Sequence, residues 1–404
     1  MDFEPWWLII VPVLFGLGWL AARFDFKQML SESKQLPDSY FKGLNFLLNE
    51  EPDQAIDAFI EVAKLDPETT ELHFALGSLF RRRGEMERAI RVHQSLLART
   101  DLPEAERENA QFEIAQDFLK AGMLDRAEEA FEAVSKGRHA IPAVRSLIHI
   151  YESAQSWPKA IAAVKRLRAL VNEPVPQLIH YECEQAEAAL KRREPQLEIA
   201  EQALNEAERA AKELGAKEGS RAAAARIFML RAQLAHLQHN LPLQQYYLQE
   251  VLRVAPLYAG LIAADFMQCY EVQGLAPQAL RELQAHYEQY PSVDVFAQVF
   301  KALRTQKGSA EAWAFARQAL QHSPSLLGLD RSLDLELQHP ENLEAAHVLG
   351  GDLTLLRTLV HKHTQRLDRY SCQNCGFEAK HYYWQCPGCT HWETYAPKRL
   401  EEMQ

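Results

Sequence analysis

Four cysteines close to the C-terminal end of this 404-residue sequence have the types and spacing of a metal site. They form two C-x-x-C pairs, Cys372 with Cys375 and Cys386 with Cys389, separated by ten residues. Two such pairs on tight turns can surround one ion with four thiolates, an arrangement that suits zinc and iron alike. Gly376 follows the first pair, where a turn of this kind requires a positive φ. The pattern predicts that these four cysteines bind one zinc or iron ion.

The composition describes an ordered, helix-rich chain. Hydrophobic residues make up 47% and charged residues 25%, with only 17 glycines, which excludes collagen-like and wholly disordered classes. The formal net charge of -11 argues against nucleic acid as a partner, because phosphates require a basic surface. Six cysteines are too few for a disulfide framework. The remaining two, Cys183 and Cys269, lie in apolar helical segments, where we expect them to be small core residues.

An uncharged segment near the N-terminus, Trp6–Ala22, has the composition of a membrane-spanning helix. At about 1.5 Å per residue it would span roughly 25 Å, slightly less than a hydrocarbon core of about 30 Å. A cleaved signal peptide is the alternative, but Asp2 and Glu4 stand where it would need basic residues. Lysine and arginine follow the segment and do not precede it, which places the rest of the chain in the cytoplasm. We predict a retained transmembrane anchor at residues 1–24 and a connector at 25–37.

The middle of the sequence repeats with a period near 34 residues, as when Ala55-Ile56 recurs as Ala89-Ile90. An aromatic residue stands nine positions before each of five alanines, and a turn glycine stands five positions before three of them. The alanines are Ala55, Ala89, Ala127, Ala160 and Ala279; the aromatics are Phe46, Phe80, Phe118, Tyr151 and Tyr270; the glycines are Gly84, Gly122 and Gly274. Small residues let helices cross closely while aromatics fill the neighbouring gap, so the pattern indicates stacked helical hairpins.

This pattern resembles the tetratricopeptide repeat family over residues 38–324, or about eight units. The predicted fold is an all-α solenoid, followed by a helical linker at 325–369 and a metal-binding domain at 370–404. The resemblance implies that partner proteins bind to the first helix of each unit, at Tyr40, Leu44, Leu47, Phe74, Ser78 and Arg81. For the basic run Arg81–Arg83, pairing with an acidic partner and a solvated turn are both open. The sequence shows no phosphate loop, nucleophile elbow or H-E-x-x-H pattern, so we predict no enzymatic activity.

Other interpretations of the cysteine pairs are weaker. Disulfides are disfavoured in the reducing compartment that the predicted topology implies, and a redox C-x-x-C would need one pair in a strand–helix context. A nucleic-acid zinc ribbon would need a more basic chain. The two turns, with Tyr370, Phe377 and Trp384 nearby, resemble rubredoxin knuckles. The gap between them is shorter than in rubredoxin, and Thr390 stands where glycine is usual, so a structural metal is favoured over an electron-transfer centre.

An anchor, a tetratricopeptide array and a terminal knuckle together resemble the LapB (lipopolysaccharide assembly protein B) family of Gram-negative inner membranes. The stretches that carry this resemblance are residues 45–48, 77–81, 84–85, 88–91, 125–128, 372–377 and 383–387. The resemblance runs nearly end to end, apart from a diverged section between about 174 and 255.

The LapB resemblance implies a single-pass protein of the bacterial inner membrane whose C-terminal domains face the cytoplasm. It implies a non-catalytic adaptor that regulates lipopolysaccharide biosynthesis by presenting the deacetylase LpxC to the membrane protease FtsH for proteolysis. An inner-membrane sensor, YejM (PbgA), is implied as a restraining partner. The alternatives are a passive scaffold that joins lipopolysaccharide synthesis and transport proteins, and an electron carrier with iron in the knuckle. The oligomeric state stays open, with a homo-oligomer as one option.

Overall fold

A computed structural model describes most of the chain after residue 50. The described residues are 15, 19, 41–43, 45, 46, 49, 51–65, 70–171, 174–218, 221–338 and 350–403. Apart from positions 15 and 19, the predicted anchor Trp6–Ala22 lies outside them. Within the described stretches, no helix has both the length and the apolarity needed to cross a membrane. The anchor therefore stays a prediction from the sequence.

The chain divides into two compact units, residues 1–150 and 151–404. Most of the described residues of both units are helical, and consecutive helices pack as antiparallel pairs. The helices of the first unit are α1 (Pro52–Leu65), α2 (Thr70–Arg82), α3 (Met86–Leu97), α4 (Glu104–Lys120), α5 (Leu124–Val134) and α6 (Ala140–Ser153), which ends just inside the second.

The second unit continues the helices and ends in a small, irregular module. Its helices are α7 (Trp157–Val171), α8 (Gln177–Leu190), α9 (Leu197–Glu218), α10 (Arg221–Leu237), α11 (Leu241–Val254), α12 (Ala259–Val272), α13 (Ala276–Gln289), α14 (Val293–Lys307), α15 (Ser309–His322), α16 (Leu326–Leu337) and α17 (Gly350–Thr364). Two short strands, β1 (Tyr370–Ser371) and β2 (Glu378–Ala379), pair antiparallel, and a 3-10 turn covers Leu400–Met403. We call residues 370–403 the metal module.

The five repeat alanines are completely buried, each with 0% exposure. Four of the five aromatics, Phe80, Phe118, Tyr151 and Tyr270, are also buried, and Phe46 packs at the edge of the first core cluster. Since the alanines lie on the second helix of each pair and the aromatics on the first, the structure confirms the predicted all-helical repeat. The diverged section is helical as well, with α8 packed against α9.

The turns inside the hairpins repeat one hydrogen-bond pattern. Between α2 and α3 the N–H of Glu85 donates to the carbonyl of Phe80 at 2.9 Å, and Gly84 has a φ of 82°. Gly122 and Gly274 occupy the same place after α4 and α12, with φ of 74° and 73°. A left-handed residue at the end of a helix lets the chain reverse, and glycine adopts that conformation at the lowest cost. In the turn between α6 and α7 the same position is held by Gln155, with a φ of 52°.

The two isolated cysteines lie in the helical core, as predicted. Cys183 on α8 is 0% exposed and Cys269 on α12 is 2% exposed. Burial raises the pKa of the Cys183 thiol to about 12, which keeps it protonated and unreactive at neutral pH.

Candidate metal centre

Two similar turns carry the four cysteines of the metal module. In the first, β1 leads into Cys372, whose N–H donates to the carbonyl of Phe377 at 3.0 Å, while the N–H of Gly376 returns to the carbonyl of Cys372 at 2.9 Å. In the second, the N–H of Thr390 donates to the carbonyl of Cys386 at 2.8 Å. Gly376 has a φ of 75° and Thr390 a φ of 59°, so both turns require a left-handed residue at the same place.

The four sulfur atoms lie within 4.8 Å of one another. The Sγ atoms of Cys372 and Cys389 are 3.8 Å apart, and those of Cys375 and Cys386 are 3.6 Å apart. Four sulfurs bound tetrahedrally at about 2.3 Å from one ion lie about 3.8 Å from each other, whereas a disulfide bond joins sulfurs at about 2 Å. The donor set and its spacing therefore fit one metal ion of the zinc or iron kind.

Hydrogen bonds favour the ionised form of two of these thiols. The side chain of Asn374 donates to the Sγ of Cys389 at 3.4 Å, and this bond, helped by the backbone near His391, lowers the pKa of Cys389 to about 6. Partial burial opposes ionisation of Cys372, but Thr394, whose Oγ1 lies 3.2 Å from the sulfur, and nearby backbone N–H groups lower the pKa of Cys372 overall. Thiolates are the form that binds a metal, so these contacts prepare the site.

The metal module packs against the helices of the second unit. Glu152, at the end of α6, accepts hydrogen bonds from the indole of Trp392 at 2.6 Å and from the side chain of Gln385 at 2.8 Å. The ring of His180 on α8 stacks on Trp392, with ring centroids 4.7 Å apart, and its Nε2 lies 2.9 Å from a carboxylate oxygen of Glu393. These contacts fix the second knuckle on the array.

A buried arginine on α10 lies beneath the two tryptophans of the module. The guanidinium of Arg226 is 5.4 Å from the ring of Trp384 and 5.7 Å from that of Trp392, and the residue is 1% exposed. Its Nη2 donates to Glu184 at 2.6 Å and to Glu187 at 3.1 Å, both on α8. Ion pairs and cation–π contacts therefore join α8, α10 and the module at one place.

Asp294, near the start of α14, holds the other side of the module. Both of its oxygens accept from Arg399, at 3.0 and 3.1 Å, and the hydroxyl of Tyr370 lies 3.2 Å away. Arg331 of α16 donates to the same carboxylate at 2.6 Å. Burial acts to raise the pKa of Asp294, but Arg331 and Arg399 outweigh it and hold the pKa below its usual range. The carboxylate is therefore ionised at neutral pH.

The last turn of the module caps two helices. Glu401 accepts from the N–H groups of Leu326 at 2.7 Å and Leu327 at 3.1 Å, which begin α16. Glu402 accepts from the N–H of Val293, the first residue of α14, at 2.9 Å. Carboxylates at helix N-termini satisfy free N–H groups and complement the helix dipole. Asp294, Glu401 and Glu402 are single acidic residues outside any recognisable motif, so the sequence alone did not identify them as contacts of the module.

The structure describes three of the six predicted partner-binding residues. Tyr40, Leu44 and Leu47 lie outside the described residues, while Phe74 and Ser78 are half-buried on α2. Arg81 is held inside the first unit: its guanidinium contacts Glu113 at 2.6 Å and Asp117 at 2.7 Å, and its side chain is 18% exposed.

The rest of the basic run behaves differently from Arg81. Arg83 pairs with Asp53 at 2.8 Å, and Arg82 is exposed. Arg81 is therefore neither fully solvated nor free to pair with an acidic partner. Its charge is already matched by Glu113 and Asp117 within the hairpins.

Comparison with known proteins agrees with both halves of this description. Family models match the chain as a rubredoxin metal binding domain at residues 370–397 and as a tetratricopeptide repeat at residues 72–108. Lipopolysaccharide assembly protein B of Escherichia coli K12 is 30% identical over 396 residues, which cover 97% of each chain. The protein of that name in Haemophilus influenzae is 26% identical over 405 residues, covering 98% of each chain. A tetratricopeptide repeat protein from Parabacteroides merdae aligns with 74% of this chain and 99% of its own at 12% identity, with a TM-score of 0.31.

Proposed function

We propose that this chain, which belongs to the lipopolysaccharide assembly protein B family, is a non-catalytic adaptor that regulates lipopolysaccharide synthesis. In detail, it presents the deacetylase LpxC to the membrane protease FtsH, and YejM (PbgA) restrains it. The observation that carries this proposal is the relationship over 97% of both chains, because it is not confined to the repeats or to the metal module.

The geometry is suited to binding proteins. Stacked helical hairpins present a long side-chain surface to partners, and chemistry is not their usual role. The metal module lies against α8, α10 and α14, so it adds its own surface to that of the helices. The predicted partner-binding residues of the first unit stay part of the proposal: Tyr40, Leu44, Leu47, Phe74, Ser78 and Arg81.

In this proposal the four cysteines hold one zinc or iron ion with a structural role. A bound ion would join the two knuckles and so keep Trp384, Gln385 and Trp392 in position on the array. Elemental analysis of the purified protein identifies the metal. Iron with a reversible redox couple would instead support the electron-carrier hypothesis.

The proposal also keeps Trp6–Ala22 as a membrane anchor with the helical array in the cytoplasm, where both LpxC and the protease domain of FtsH would be accessible to it. Replacing the anchor with a soluble tag should abolish activity while the helices stay folded. Full activity of the soluble form would show that membrane placement is dispensable.

The half-life of LpxC after protein synthesis is blocked tests the adaptor function. In cells that lack this chain the half-life should lengthen, and the wild-type chain should restore it. The double variant Cys372→Ser with Cys375→Ser should fail to restore it, whereas Cys183→Ala, outside the metal centre, should succeed. A half-life that does not depend on the chain would favour the passive scaffold.

A further inference from the structure

A cavity of about 370 Å³ lies where α10, α11 and α12 meet the metal module. Met229 of α10, Leu248 of α11 and Ile262 of α12 give it apolar walls, and the indole of Trp384 closes the side formed by the module. The lining also includes an acidic residue of α12, Asp265. A cavity of this size accommodates one long side chain with part of its neighbours.

Arg226 also borders the cavity, but its charge is already matched. Its Nη2 is shared by Glu184 and Glu187, and its Nε and Nη1, which have no hydrogen-bond partner, are buried from solvent. The rings of Trp384 and Trp392 lie over the guanidinium. An anionic ligand would have to displace these rings and would also meet the carboxylate of Glu187.

The carboxylate of Asp265 is in the opposite situation. The residue is exposed to the cavity, and none of the ion pairs found among the described residues includes it. Partial burial raises the pKa of Asp265, with only His236 acting to lower it, so its negative charge is poorly compensated. The lining therefore holds two carboxylates, of which Glu187 is paired with Arg226 and Asp265 is not.

We propose that this cavity binds the cationic side chain, arginine or lysine, of a partner protein segment, with Asp265 accepting its hydrogen bonds. The methylene groups of such a side chain would lie along Met229, Ile262 and Trp384, because long basic side chains bury their stems on apolar surface and leave the charged end to a polar group. The amides of Gln233 and Gln268 supply further acceptors in the same lining. The inference rests on the proposed adaptor function in one respect, that the occupant is a protein.

Calorimetric titration of the purified full-length chain in a non-ionic detergent tests this proposal. The probe is a blocked five-residue peptide with a central arginine between leucines, and the reference peptide replaces the arginine with citrulline, which has the same shape without the charge. A third peptide with a central lysine distinguishes arginine from lysine as the source of the cation. The arginine peptide should bind about tenfold more tightly than the citrulline peptide, as a hydrogen bond between charged groups predicts.

Two matched variants assign the preference to one carboxylate. Asp265→Asn should reduce the difference between the arginine and citrulline peptides to less than about twofold. Glu271→Gln removes an exposed carboxylate from the same helix, outside the cavity, and should leave the tenfold difference intact. Neither residue takes part in the ion pairs found in the described part of the chain, so both variants should fold.

Three results would overturn the proposal: no binding of either peptide, equal affinity for the two peptides, or a preference that survives in Asp265→Asn. Because the measurement uses purified protein and synthetic peptides, each of these results leaves the half-life test of the adaptor function unaffected. A lengthened LpxC half-life without any peptide preference would support the adaptor and reject this cavity as its binding site.

Discussion

Two ion-paired carboxylates, one in each unit, show how differently the helices within each unit are held together. In the first unit, Asp117 on α4 is 0% exposed and accepts from His93 on α3 at 2.6 Å and from Arg81 on α2 at 2.7 Å. In the second, Asp294 on α14 accepts from Arg331 on α16 and from Arg399 of the metal module. The partners of Asp117 lie 24 and 36 residues away in the sequence, whereas Arg399 lies 105 residues away.

Ion pairs on a carboxylate thus serve two kinds of architecture. In the first unit, buried ion pairs join neighbouring repeats, as expected for a solenoid whose repeats contact only their neighbours. In the second unit, the end of the chain returns to contact helices far away in the sequence. The second unit should therefore depend on its metal module, and the first should be independent of it.

The largest effect should come from removing the metal ligands. Cys372→Ser with Cys375→Ser should unfold residues 370–403, because four-thiolate sites contribute roughly 10–16 kcal/mol of apparent folding free energy to small modules. Hydrogen exchange should then rise across the module and at the parts of α8, α10 and α14 that it covers, while α2–α5 keep their protection. The control Cys183→Ala should retain one metal ion per chain. Unchanged exchange in the module would contradict a structural role for the metal.

A direct test of the comparison uses one isosteric substitution in each unit. Asp117→Asn and Asp294→Asn each remove one of the carboxylates that bind a partly buried arginine, while Glu113 or Asp368 stays in place, so each should cost about 1.5–3 kcal/mol of local stability. Asp117→Asn should increase hydrogen exchange in α2–α4 only, and Asp294→Asn should increase it in the module and α16. If either variant loosened both units equally, the two regions would not be energetically separate.

Acidification should weaken the attachment of the metal module to α8, because that attachment includes the contacts of His180. Burial lowers the pKa of His180, against the opposing hydrogen bond of Glu393, so the folded state binds its proton less readily than the unfolded state, whose pKa is about 6.5. Since the unfolded state then holds more protons, stability should fall as the pH drops from about 6.5 toward the lowered value, and should be fully retained above 6.5.

Thermal unfolding followed between pH 8 and pH 5 measures this effect. The variant His180→Gln, which does not titrate, should show a smaller decrease over the same range even if it is less stable at pH 8. His363→Gln, at an exposed position of α17, should behave as wild type. An identical pH dependence in His180→Gln would assign the loss to other groups.

The smallest effects should come from two left-handed residues that are not glycine, one in each kind of turn. Gln155 between α6 and α7 and Thr390 in the second knuckle have φ of 52° and 59°, where a side chain costs about 1–2 kcal/mol and glycine about 0.5–1 kcal/mol of chain entropy. Gln155→Gly and Thr390→Gly should each stabilise the protein by roughly 0.5–1 kcal/mol in denaturant titrations. The reverse change, Gly376→Ala, should destabilise it, because its φ is 75°. Loss of stability in both glycine variants would show that the side chains contribute more than the backbone strain costs.

Much of the fold and of the metal centre follows from short-range patterns. The five alanines and their aromatic partners repeat at a spacing that only a helical hairpin explains, and all five alanines are fully buried. The four cysteines could be identified because C-x-x-C places two sulfurs on one turn. Thr390 could be recognised in the sequence as a position where rubredoxin knuckles usually have glycine, and its φ is positive like that of Gly376. Arg81 was harder to interpret, since its partners Glu113 and Asp117 lie on another hairpin.

The helices, their pairing into hairpins and the set of sulfur atoms that can hold an ion could be predicted from the amino-acid sequence, because each depends on residues close together along the chain. The position of the metal module and the residues that hold it there could be found only from the folded chain. Trp392 contacts Glu152 across 240 positions, and Glu393 contacts His180 across 213. Contacts of this range join single polar or aromatic residues that have no local periodicity, so their partners become visible only when the chain is folded. For the same reason the cavity beside Asp265 could not be predicted from the sequence. Trp384, which completes the wall of that cavity, lies far from Asp265 along the chain.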